Sequence, residues 1–105
     1  MTSVQTTVTA RHCEIPDDLR ERALDNAAKL AKIAHRPTRM EILFDDDNNH
    51  RSVELKMWMP RGQILIALGE APDFKTALDR AVEKLRAQLD KDDVRPARRK
   101  RQSIS

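Results

Sequence analysis

Tyrosine is absent from this chain of 105 residues, and one tryptophan with two phenylalanines makes the aromatic fraction only 3%. So few rings cannot form the interleaved aromatic platform on which many RNA-binding sheets stack bases. Glycine is almost as scarce. Gly62 and Gly69 stand apart from any motif, which excludes a Gly-rich phosphate loop. Cys13 is the only cysteine, so no internal disulfide can form and a reducing compartment suits the chain. No run approaches the roughly 18 apolar residues of a membrane span. The first residues, Met1-Thr-Ser-Val-Gln-Thr-Thr7, lack the basic segment and apolar core of a secretory signal. A cytoplasmic protein is the expectation.

Catalytic and metal-binding patterns are also missing. His12 and Cys13 are adjacent, and neighbours at a strand end point apart, which speaks against a nucleophile pair. His12, His35 and His50 show no ligand spacing with one another or with Cys13. Asp45-Asp46-Asp47 lacks the register and distal glutamate of a calcium loop and reads as part of a solvated turn. The expectation is therefore a protein that is not an enzyme and carries neither cofactor nor metal.

What the chain does have is charge, 35% of its residues, with a net value of +3. At this length one domain can bury a core without covalent staples. Thr and Val enrich Val4 to Ala10, a first strand. A helix follows from about Asp18 to Ala34, capped by Asp17 or Asp18, with Leu19, Ala23, Ala27, Leu30 and Ala34 as its buried stripe. Arg36-Pro37-Thr38 ends it, because a residue before proline avoids the helical region. Met40, Ile42 and Phe44 alternate through a second strand, Arg39 to Asp45, and Asp45 to Asn49 reads as a polar turn. His50 to Met59 is the clearest strand, with Val53, Leu55, Met57 and Met59 opposite Ser52, Glu54, Lys56 and Trp58. Pro60-Arg61-Gly62 turns into a fourth strand, Gln63 to Gly69, where Ile64, Ile66 and Leu68 share a face. Asp73 caps a second helix reaching Lys91, its apolar stripe made by Phe74, Leu78, Ala81, Val82, Leu85 and Leu89.

The order β-α-β-β-β-α predicts an α+β fold. Its four-stranded mixed sheet has strands one and two parallel through a right-handed crossover, and strands two to four form a meander. One face of the meander reads as consistently apolar, so both helices should cover that face and leave Glu54, Lys56 and Trp58 outside. Residues 1–91 form the expected domain. Residues 92–105, with Pro96 and the basic run Arg95 to Arg101, read as a disordered tail.

The basic residues carry the functional question. Arg22, Lys29, Lys32 and Arg36 share one side of the first helix, interleaved with Glu21 and Asp25; Arg80, Lys84 and Lys91 share one side of the second. If the two stripes align along an outer ridge, they suit a phosphate backbone. If each only solvates its helix, the domain is a protein-interaction module. Trp58 on the free sheet face supports base stacking less well than packing, a protein contact or a weak homodimer.

Three stretches resemble the short ribosome hibernation factors, namely hibernation promoting factor and ribosome-associated inhibitor A, also called sigma-54 modulation proteins. Val8-Thr-Ala-Arg-His-Cys-Glu-Ile-Pro-Asp-Asp-Leu19 is similar to the family's opening strand and first helix start. Arg22 through Lys32 resembles its first helix. Pro72 through Lys91 is similar to the family pattern D-x-[YF]-x-A-I-D-x-x-x-D-K-L-x-x-Q-L-x-K, the most specific of the three matches. The resemblance implies a β-α-β-β-β-α domain that binds small-subunit rRNA in the channel used by mRNA and tRNA and inhibits translation in idle cells. It implies RNA contacts at Arg11, Lys29, Lys32, Lys84 and Lys91. Helix geometry adds Arg22, Arg36 and Arg80, Arg86 is a further candidate contact on the far side of the second helix, and the tail adds Arg98, Arg99, Lys100 and Arg101.

Departures from the pattern are local. Ala10 stands where the family usually has Gly, and Pro16 replaces the usual Thr cap. Ala87 sits where the family often has Arg, while Arg86, one residue earlier, points about 100° away. Asp92 and Asp93 replace lysines, and the chain as read lacks the second domain with which long-form members pair ribosomes.

Overall fold

The computed structural model describes residues 4–34, 36–48 and 50–94, the last three through their backbone only. The elements are β1 (Gln5–Arg11), α1 (Asp17–Ile33), β2 (Arg39–Asp47), β3 (His50–Trp58), β4 (Ile64–Ala71) and α2 (Phe74–Val94). The sheet order is β1-β2-β3-β4, with β1 and β2 parallel and the other two pairings antiparallel. This is the α+β arrangement that the pattern predicts. The second helix continues three residues beyond Lys91, through positions expected to begin the tail.

The core lies between the helices and one sheet face. Met40, Ile42 and Phe44 from β2 and Val53, Leu55 and Met57 from β3 meet Leu30 of α1 and Leu78, Leu85 and Leu89 of α2, all buried. Each such large side chain contributes about 1.5–3 kcal/mol of burial free energy. The Phe44 and Phe74 rings meet edge to face at 5.4 Å.

β4 corrects the simplest reading of the apolar pattern. Its inward residues are Leu65, Ala67, Gly69 and Ala71, while Ile64, Ile66 and Leu68 face out, 45%, 49% and 42% exposed. The meander thus has apolar residues on both faces. The cause is the closeness of α2, which presents Ala77 and Ala81 to this strand. A Cβ at Gly69 would collide with the Ala77 carbonyl and the Ala81 nitrogen. At this end of the strand the small inward residues Ala67, Gly69 and Ala71 let the helix descend this far.

Two further local readings change. Asp46 and Asp47 extend β2 beyond Asp45, and the turn begins at Asn48, whose φ of 53° suits a tight hairpin. Asp17 and Asp18 occupy the first turn of α1 instead of capping it. The Pro16 carbonyl accepts the Leu19 and Arg20 N–H groups, and the two carboxylates favour the positive end of the helix dipole. Asp73 does cap α2, its Oδ2 accepting the Thr76 N–H at 2.9 Å. Donation from that N–H, then from the Thr76 hydroxyl, holds the Asp73 carboxyl below its usual pKa.

Candidate nucleic-acid interface

The two helices run the same way across the sheet, and Arg22 of α1 reaches Asp79 of α2 at 3.2 and 3.3 Å. That ion pair marks the sides on which the helices face each other. Seven residues span about 700°, so a residue seven positions on returns to nearly the same side of its helix. Lys29 follows Arg22 by that interval and Arg86 follows Asp79. Below the ion pair, therefore, the groove between the helices carries a cation from each wall. Lys29, Lys32 and Arg86 are exposed and make no ion pair among the described residues. Lys32 lies in the last turn of α1, where the helix dipole favours a cation. Arg36 follows the end of the helix with φ 59°.

The other stripe of α2 does different work. Arg80 Nη1 donates to the Glu70 carbonyl at 2.6 Å, Lys84 Nζ to the Leu68 carbonyl at 2.8 Å, and Gln88 Nε2 to the Ile66 carbonyl at 2.8 Å. These carbonyls lie on the free edge of β4. The stripe points to the sheet edge, away from α1, so it does not align with the cations of α1 in one ridge. Lys91 is exposed on the same side of α2, seven positions beyond Lys84. Gln88 is the member of this row that charge-based reading misses, because its role depends on hydrogen bonding.

Arg11 lies on the opposite sheet face, where it and His12 hold Asp45 at 3.2 and 3.0 Å. The hydrogen bond with His12, then the one from Arg11, lowers the Asp45 pKa. His12 is thus turned to Asp45, with a φ of 62°, while the Cys13 sulfur lies 3.9 Å from the Phe44 carbonyl. Partial burial, then the Asp46 carboxylate, raises the Cys13 pKa, the opposite of what a thiolate nucleophile needs. Trp58 faces away from the helices as expected, and the Arg39 guanidinium covers its ring at 4.9 Å. The guanidinium thus takes up one face of the ring. The expected tail contacts, Arg98, Arg99, Lys100 and Arg101, fall outside the described residues. Among the described residues, no three or more His, Cys, Asp or Glu side chains gather as a metal site, and no helix is long and apolar enough to cross a membrane.

Comparison with known proteins completes the picture. The model of the family described as sigma 54 modulation protein / S30EA ribosomal protein matches residues 6–95. No curated protein matches the sequence. Among solved structures, the N-terminal domain of Protein Y from Thermus thermophilus is similar at 21% identity and a TM-score of 0.73, over 86% of this chain and 99% of that one. A ribosomal subunit interface protein from Coxiella burnetii is similar at 24% identity and a TM-score of 0.74, over 86% and 98%. At these identities the two structures establish the likeness of fold.

Proposed function

The chain belongs to the sigma-54 modulation protein / S30EA ribosomal protein family, and from that premise we propose that it is a non-enzymatic factor that binds the small ribosomal subunit and inhibits translation in idle cells. The domain occupies the channel that mRNA and tRNA use and excludes them by bulk. Its ligand there is the phosphate backbone of small-subunit rRNA, and this role places it in the cytoplasm. The observation that carries the reading is the helix-helix groove, where Lys29 and Arg86 line opposite walls with Lys32 nearby. Cations arranged along a groove track a phosphate chain without reading its bases. Arg22 borders the same groove, while Arg80 and Lys84 act at the strand edge and contribute long-range attraction.

The test is co-sedimentation of the full chain with purified small subunits at low and high salt. Changing Lys29, Lys32 and Arg86 together to Glu should abolish binding with the circular dichroism spectrum unchanged. Neutral Gln replacements should weaken binding and flatten the plot of log K against log salt by about 0.7–0.9 for each phosphate that is no longer neutralised. Undiminished binding by the Glu variant would overturn the proposal.

A further inference from the structure

The outer sheet face is uncovered by either helix and carries an ordered chemical pattern. Ile64, Ile66 and Leu68 make an apolar stripe along β4. Beside it on β3, Lys56 pairs in register with Ile66 and Glu54 with Leu68. We propose that this face binds a second copy of the chain as a weak two-fold dimer. A two-fold axis lying in the interface, perpendicular to the strands and passing between those two rows, maps each row onto the other. Lys56 of each copy then faces Glu54 of the other, and Ile66 faces Leu68. The pattern is complementary to itself at these central pairs, while at the margins Ile64 faces Glu70 and Glu41 of β2 faces Leu43, which keeps the association weak. An axis parallel to the strands would pair Glu41 with Lys56 but set Thr7 of β1 against Ile66, leaving the apolar stripe opposite a polar strand.

The route of association is restricted as well. Arg80, Lys84 and Gln88 fill the outward carbonyls of β4, so addition of a strand at that edge is blocked and the face is left for contact. Four strands spaced at about 4.8 Å, contacting over about seven residues, bury on the order of 900 Å² in total across the two copies. Stable interfaces bury about 1,200–2,000 Å², so this dimer forms only at high protein concentration. It uses the side of the sheet opposite the helical groove and is a property separate from ribosome binding.

Sedimentation equilibrium of the full chain, from about 10 μM to about 1 mM, covers the range of weak association. The wild type should move from monomer to dimer across it. Glu54→Lys and Lys56→Glu each create two like-charge contacts and should weaken self-association about tenfold or more. An equimolar mixture of the two variants should recover wild-type association, because the mixed dimer regains both opposite-charge pairs. Ile66→Glu, with its fold checked by circular dichroism, should remain monomeric. A wild type that stays monomeric throughout, or a mixture no more associated than either variant alone, would overturn the dimer. So would a monomeric wild type whose small-subunit binding falls with Ile66→Glu, since the face would then belong to the ribosome.

Discussion

Gly69 lies where β4 passes beneath α2, and the helix backbone fills the space that a side chain would need. Its value is the absence of a Cβ. Gly69→Ala must lift the helix or twist the strand, so its cost should exceed the usual overpacking cost and reach about 3 kcal/mol or more, read from urea denaturation. Asp45 shows a second single-residue effect. Its folded pKa is lowered by His12 and Arg11, so its stabilising contribution is present above the ordinary carboxylate pKa and is lost as the pH falls through the folded value. Asp45→Asn should lower the melting temperature at pH 7, and the difference from wild type should shrink as the pH drops below about 4. Neither effect is legible in the sequence. Gly69 reads as a strand end there, and Asp45 as a member of a turn, because both depend on partners in other elements of the chain.

At the scale of elements, the hydrophobic spacing of α2 and the alternation of β3 are plain in the sequence because their period coincides with their burial. β4 is not. Its most apolar residues are Ile64, Ile66 and Leu68, and a pattern based on hydrophobicity turns them inward. Close packing against Ala77 and Ala81 selects the smaller set instead. The same approach brings Arg80, Lys84 and Gln88 to the strand edge. Replacing all three with Met keeps their bulk and removes the donors. This variant should melt several degrees lower and scatter light on heating, as the opened edge of β4 recruits other chains. Lys84→Met alone should cost about 1 kcal/mol and alter small-subunit binding less than Lys29→Met does, as measured by denaturation and co-sedimentation.

Across the described residues, the candidate RNA-binding cations fall into separate settings: Lys29, Lys32 and Arg86 at the helix-helix groove, Arg80, Lys84 and Lys91 toward the edge of β4, and Arg11 at a corner of the outer face. Helical periodicity finds the stripes but cannot say what lies beside them. Asp79 is the missing coordinate, because its pairing with Arg22 turns Arg86, rather than Arg80, toward α1. The net charge of +3 is small, so three reversals to Glu invert it to −3. Arg61→Glu separates site from bulk charge, since Arg61 lies in the β3–β4 turn. It should reduce small-subunit affinity less than Lys29→Glu at equal ionic strength, and equal losses would mean that net charge, not the groove, governs binding.

The three side chains along β4 also couple two lengths. Four residues of helix advance about 6.0 Å, whereas two residues of strand advance about 6.7 Å, so helix and strand act as scales with slightly different divisions. They drift apart by about 0.7 Å per step, a mismatch that long flexible side chains absorb over the observed row but not indefinitely. Lengthening β4 by two residues would thus require about four more in α2 to keep the same partners, and a change in either alone would shift the whole row out of step.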